Sequence, residues 1–243
     1  MLWLWKRFGQ NFQHLPSAWL LLVQLFILIL ALLTNGSPTY RALSWSVGVL
    51  ALLIIAKVIR QTPIYTLLGL FFVIGAFFFS LLILLGYAAL PIQITAHVFE
   101  ASAYFSAAYG LLRYMFQDRY LTKDELFAAG ATFTLMAWGF AFLYNICQLL
   151  LPGSFQNPNQ LQSVQSWLDL LFLSFSLQSA TGLSDLMPLS PPARVIAMLQ
   201  MFCGVMYLAL IVSRLVALQY IVHSPSNRIP NVQTKQQRNK KGS

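Results

Sequence analysis

Two ionisable side chains, His97 and Glu100, lie three residues apart in the mostly apolar segment 94–114, one helical turn from each other. A carboxylate at membrane depth is expensive and is by default a candidate for ion or proton chemistry, or for a buried pair. Both residues fall near one end of their segment, within reach of headgroups or water, which favours an interfacial or pairing role over an ion pathway. A second set is the stretch Phe175-Ser176-Leu177-Gln178-Ser179-Ala180-Thr181-Gly182-Leu183-Ser184-Asp185-Leu186-Met187-Pro188, which brings hydroxyls, a glycine and a carboxylate between two long apolar runs. Non-helical backbone at such a depth is tolerated only where protein buries it or where it lines a water-filled path. Catalysis is not encoded. The three histidines, His14, His97 and His223, are scattered, no carboxylate pair has a useful spacing, and no phosphate-binding glycine motif is present. Cys147 and Cys203 each sit inside an apolar run and read as packing residues, with neither a disulfide framework nor a metal site implied.

The elements that must position these residues are membrane helices. Hydrophobic residues make up 58% of the chain and charged residues 9%, against about 25% charged in soluble domains. The expectation is an all-α integral membrane protein. A crossing needs about 20 apolar residues, and the chain offers six such segments, at 17–34, 42–59, 66–90, 94–114, 126–151 and 192–220. With six crossings and both termini cytoplasmic, every Lys and Arg except Arg41 and Arg194 falls on the inner face, as the positive-inside rule requires. If 94–114 did not cross, that asymmetry would collapse. The net charge of +9 is thus a topological signal, and nucleic acid is a poor partner. The partner is membrane lipid, and plain topology is favoured over a specific anionic-headgroup patch at Lys235–Lys241. The segment 17–34 is longer than a signal-peptide core, so this first helix is expected to remain in an inner or plasma membrane.

Local signals divide the chain. Thr122-Lys123-Asp124-Glu125 fits a capping box at the start of the fifth helix, and Pro152-Gly153 ends that helix. Residues 153–163 form an extracellular loop. The segment 164–180 is too short to cross and return, which predicts a re-entrant helix. Ser190 followed by Pro191 and Pro192 suits the N-terminus of the last helix. The reading gives an N-terminal four-helix transmembrane region at 1–121, a second region at 122–222, and a disordered basic cytoplasmic tail at 223–243.

The stretch quoted above resembles the P-loop of the tetrameric potassium-channel superfamily of bacterial type, whose members read roughly T-T-V-G-Y-G-D-x-x-P. Aligned on Asp185 and Pro188, Ser179-Ala180-Thr181 stands for T-T-V, Gly182 for the first filter glycine, Leu183 for the tyrosine and Ser184 for the second glycine. A one-residue deletion would instead match Thr181 to the filter threonine and leave a shorter filter. The likeness runs from Trp167 to Leu218, and Gly204 falls where the family's inner helix carries its mid-helix glycine.

The resemblance implies a pore helix and a selectivity filter between helices five and six, with 122–222 as the pore domain of a homotetramer. Ser179, Ala180, Thr181, Gly182, Leu183, Ser184 and Asp185 would form the filter. Carbonyls of Ala180, Thr181, Gly182 and Leu183 would hold potassium or another monovalent cation, and no cofactor is implied. Four copies of Asp185 would make a cation-attracting ring, and Gly204 is a candidate gating hinge, its alternative being close helix packing. Alternate filter residues adopt left-handed backbone, free for Gly182 but costing about 1–2 kcal/mol at Ser184. Ala180 lacks the coordinating hydroxyl, and Leu183 lacks the bracing phenol. The expected function is a pore-forming subunit of a potassium or weakly selective cation channel. It would not be voltage-gated, since 94–114 carries Arg113 but no arginine repeat. The alternative is a non-conducting structural or regulatory subunit that joins related channel subunits.

Overall fold

The computed structural model describes residues 16–33, 66–87, 89–117, 123–158 and 164–223. The predicted segment 42–59, Thr122 and the tail beyond His223 lie outside them. In chain order the elements are α1 (Pro16–Leu33), α2 (Thr66–Leu84), α3 (Leu90–Gln117), α4 (Lys123–Leu150), β1 (Phe155–Gln156), α5 (Trp167–Gln178), β2 (Met187–Pro188) and α6 (Pro191–His223). Within α4 and α6, Asp124–Leu150 and Pro191–Arg214 are long and apolar enough to cross a membrane, and Ser17–Ile29, Leu68–Leu84 and Trp167–Gln178 are shorter apolar stretches. The 28 residues of α3 have the length for a crossing, but their polar content leaves α3 less apolar than α4 and α6. Among the described residues, the departure from an all-α fold is the antiparallel pair β1–β2, which joins the expected loop after α4 to the segment before α6, with Phe155 opposite Pro188.

Small residues set the helix spacing. On α3, Ala101, Tyr104, Ala108, Leu111 and Met115 recur every three or four residues and are buried, so one face of the helix is packed against its neighbours, and Ala96, Ala103, Ala107 and Gly110 are buried with them. Tyr104 stacks on Trp138 of α4 at 5.8 Å. In the other direction Phe99 lies directly over Gly75 of α2, where a Cβ would collide with its ring, and it also contacts Phe71, Phe72 and Phe79. Between α2 and α3 (Phe99 on Gly75) and between α3 and α4 (Phe105 on Gly139), a large ring is thus placed on a glycine.

The first turn of α4 ties three helices together. Asp124 and Glu125 are both buried. The Asp124 carboxylate accepts from the Ser17 backbone N–H at 3.2 Å and from its hydroxyl at 2.9 Å, both in the first turn of α1. An acidic group suits this place, because the first N–H groups of a helix have no intrahelical acceptor. Glu125 accepts from Nη2 of Arg214 at 3.2 Å, and that guanidinium lies 5.0 Å above the Phe116 ring. The glutamate expected in a capping box thus holds the far end of α6. Buried charge is retained where it is paired. Asp124→Ala leaves two donors of Ser17 without this acceptor and should lower the unfolding free energy in detergent by about 1–3 kcal/mol; an unchanged denaturation midpoint would show that the contact carries no stability.

Candidate functional site: the α5 helix and the loop 179–186

Helix α5 has 12 residues, about 18 Å at 1.5 Å per residue, so it reaches only part of the way through a bilayer. It begins at Ser166, whose hydroxyl oxygen accepts from the Asp169 N–H at 3.2 Å. Asp169 places a carboxylate in the first turn, where the helix dipole favours it. Trp167 fixes this end against α4, with its ring 4.5 Å from that of Phe142.

A buried polar cluster holds the other face of α5. Ser174 donates to the Ala137 carbonyl at 2.6 Å, and Gln178 donates to the Phe133 carbonyl at 2.7 Å, both on α4. From α6, Gln200 donates to the Ser174 carbonyl at 2.9 Å, to its hydroxyl oxygen at 2.6 Å and to Gln178 Oε1 at 3.3 Å. Its own Oε1 accepts from Tyr144 on α4 at 2.6 Å. Tyr144, Gln178 and Gln200 are fully buried, and each finds partners, as buried polar groups must. Gly204 allows the close approach that this cluster needs. A Cβ there would lie 2.5 Å from the Gln178 carbonyl oxygen and 2.9 Å from its Cα, so α6 passes the end of α5 with no room for a side chain.

The loop is then slung between two fixed points. At its start the Ser176 carbonyl accepts from the N–H groups of Thr181 at 3.1 Å and Gly182 at 3.3 Å, and from the Thr181 hydroxyl at 3.3 Å. The Ser176 hydroxyl accepts from the Ser184 N–H at 3.1 Å, and Ser184 in turn accepts from Leu186 N–H at 3.2 Å. At its far end Leu186 is buried beside Phe140, Tyr144, Phe155 and Ala193. There Met187 and Pro188 join β1, the Leu189 N–H reaches the Ser154 carbonyl at 2.8 Å, and Arg194 Nε reaches the Pro188 carbonyl at 3.2 Å. Ser190 caps α6 through the Ala193 N–H at 3.3 Å.

Between these anchors, residues 180–183 and Asp185 are exposed, with Leu183 at 70%. The backbone is left-handed at Ala180 (φ 57°) and Gly182 (φ 65°), on either side of Thr181. The alternation expected for such a loop is therefore present, but its two left-handed positions are Ala180 and Gly182. Ser184 is not left-handed, so the cost expected there is not incurred; Ala180 carries it instead. All seven sequence-identified loop residues, Ser179 to Asp185, lie in this one segment. Gly204 stands behind it against Gln178. Sequence reasoning missed Ser176, Tyr144, Gln178 and Gln200. Their signal was available in principle, since amides and a phenol inside apolar runs have to find partners. Among the described residues no group of three or more His, Cys, Asp or Glu is arranged to hold a metal ion.

The cluster makes a testable demand on α6. Gln200→Leu removes the acceptor of Tyr144 and the donor to Ser174, and should cost about 1–3 kcal/mol in unfolding free energy. Tyr144→Phe should cost less in the Gln200→Leu background than in the wild type, because its partner is already gone. Fully additive effects in the double-mutant cycle would show that the two side chains are not coupled.

Residues 130–219 match a family model described as "Ion channel", a stretch that starts inside α4, takes in the sheet, α5 and the loop, and ends in α6. Neither a curated protein nor a solved structure matches the chain. The match covers the helix–loop–helix unit to which the potassium-channel resemblance was drawn, and the two longest apolar helices flank its loop. The protein is a membrane protein, and residues 130–219 are similar to an ion channel domain.

Proposed function

We propose that four copies of the chain surround one axis and form a cation-conducting pore, with the loop 179–185 as its filter and α6 as its inner helix. Ala180, Thr181, Gly182 and Leu183 supply carbonyl oxygens that replace the hydration shell of a monovalent cation, potassium foremost. Asp185 forms a ring of carboxylates at the outer mouth. Residues 122–222 are then the pore domain and 1–121 a flanking helical region without an arginine-rich sensor. Both termini face the cytoplasm of an inner or plasma membrane, and a bend at Gly204, away from Gln178, is the opening movement.

The observation that carries this reading is an asymmetry of burial. Of the apolar window of α4, 67% is buried, but of that of α6 only 28%. Val195, Met198, Phe202, Val205 and Val212 recur at helical spacing on α6 and are each at least half exposed, and residues 180–183 of the loop are exposed as well. One chain supplies one loop, whereas a filter needs several around an axis, and symmetric copies would cover both features together. The bond from Ser184 N–H to the Ser176 hydroxyl favours a second reading, a non-conducting subunit, since it commits the outer half of the loop to its own α5 helix.

Purified protein in liposomes decides between the two: cation flux down a potassium gradient is expected, with a tetramer by cross-linking in mild detergent, and a monomer or dimer without flux would select the second reading. Because Ala180, Leu183 and Ser184 replace a hydroxyl, a phenol and a glycine, potassium over sodium discrimination should be weak. Bi-ionic reversal potentials should be sharpened by the combined change Ala180→Thr, Thr181→Val, Leu183→Tyr and Ser184→Gly. Strong selectivity in the native chain would overturn this view of the filter. Asp185→Asn should reduce conductance most at low ionic strength, where screening is least; equal currents at low salt would assign Asp185 no role in attracting cations.

A further inference from the structure

His97 and Glu100 are joined to α5 by a continuous chain of hydrogen bonds. Glu100 Oε1 accepts from Ser80 of α2 at 3.0 Å, and its Oε2 lies 2.8 Å from His97 Nδ1. His97 Nε2 is 2.9 Å from Asn145 Nδ2 on α4. Asn145 Oδ1 accepts from Gln148 Nε2 at 2.8 Å, and Gln148 Oε1 accepts from the backbone N–H of Gln165 at 2.9 Å. Gln148 Nε2 also donates to the Gln165 carbonyl at 3.2 Å. Gln165 immediately precedes Ser166, the residue that caps α5. A second route runs beside the first, since the His97 ring stacks on Phe142 at 5.7 Å and Phe142 packs on Trp167 at 4.5 Å.

The polarity of this chain is fixed at one end. A backbone N–H can only donate, so the Gln148 atom facing Gln165 must be the oxygen. The Gln148 nitrogen then faces Asn145, which must present oxygen to it and nitrogen to His97. His97 Nε2 must accept, and a neutral imidazole that accepts at Nε2 carries its proton on Nδ1, where Glu100 receives it. A protonated imidazole donates from both nitrogens. Its Nε2–H would meet the Asn145 amide N–H₂, and turning Asn145 over only passes the mismatch to Gln148 and then to Gln165.

We propose that His97 is a proton-sensitive positioning residue for α5. Neutral, it holds the lead-in of the helix through Asn145 and Gln148; protonated, it breaks the chain, keeps its bond to Glu100 and frees the N-terminal end of α5. The His97 and Glu100 side chains are 20% and 16% exposed, so protons have access to the pair. Among the described residues, the titratable groups about His97 are Glu100 and, one turn further on α3, the buried Tyr104 phenol in the field of Glu100. The contacts from α2 and α4 are the uncharged Ser80, Asn145 and Phe142, and α5 brings the Asp169 carboxylate, held by Ser166 at 2.7 Å. Histidine is the side chain that ordinarily changes charge between about pH 5 and 8, which sets the range of the test.

Two measurements on the full chain in detergent need no conduction. The chain has three histidines, and nitrogen-15 shifts of their rings should show His97 as the Nδ1–H tautomer at about pH 7.5. Amide exchange of the peptide covering 164–170, corrected for intrinsic rates, should rise about fivefold between about pH 7.5 and 5.5, the factor that one lost hydrogen bond represents. In His97→Gln, whose amide accepts and donates as the neutral ring does but does not titrate, that rise should vanish. An Nε2–H tautomer, no rise in the wild type, or the same rise in His97→Gln would each overturn the proposal. The third measurement rests on the conducting reading: liposome flux should fall on acidification in the wild type and stay level in His97→Gln. A native tautomer and exchange response without flux at any pH would uphold the relay and refute conduction.

Discussion

A backbone that leaves its helix among packed helices has to satisfy its polar groups with what those helices bring, and the rest of this structure follows from that constraint. Helix α5 ends partway through the fold, and the residues after it do not form regular structure. The solution is a set of side chains contributed from three helices. Tyr144 from α4, Gln200 from α6, and Ser174 and Gln178 from α5 itself satisfy one another and two α4 carbonyls. Below them Ser176 gathers the first free N–H groups of the loop through its carbonyl and Ser184 through its hydroxyl. Gly204 is part of the same solution, since α6 can bring Gln200 to α5 only where its own backbone touches the end of that helix.

The loop is held at its ends and left bare in its middle. Its first end is fixed by α5 and its second by the β1–β2 pair and the buried Leu186. Thr181 directs its N–H and hydroxyl toward Ser176. The left-handed turns at Ala180 and Gly182 bracket it. A side chain on Ala180 in that conformation is strained by about 1–2 kcal/mol, and strain of this kind persists where surrounding contacts over-determine the backbone. The two anchors on either side provide that.

The opposite end of the molecule is organised by charge. Asp124 and Glu125 would each be costly alone, and each is used to hold a different helix, α1 through Ser17 and α6 through Arg214. The start of α4 is thereby the junction between the flanking helices and the channel domain. At the other end of α4 the junction is made by Asn145 and Gln148, which stand between the His97–Glu100 pair and the segment leading into α5. Helix α4 therefore couples the rest of the chain to the loop at both of its ends.

The likeness to an ion channel domain, the membrane setting and the position of the loop were legible in the sequence, because long apolar runs and a glycine-containing stretch between them are local patterns that need no partner to be recognised. The short helix α5, the Ser190 cap and the pairing role of His97 and Glu100 were legible for the same reason: length, capping chemistry and the expense of a buried charge act within a few residues. What only the tertiary structure decided is which residues satisfy which. Tyr144 and Gln200 are 56 residues apart, and the acceptor for the Ser184 N–H is a hydroxyl eight residues earlier, so no spacing rule connects them. Ser184 stood in the sequence as a strained replacement for glycine, and its actual backbone is set by Ser176, which moves the left-handed turn to Ala180. The pair β1–β2 joins residues on either side of α5 whose short segments carry no strand signal of their own. Gly204 read as a candidate hinge or as a close packing contact, and only the Gln178 carbonyl beside it shows which atoms occupy the space a side chain would take.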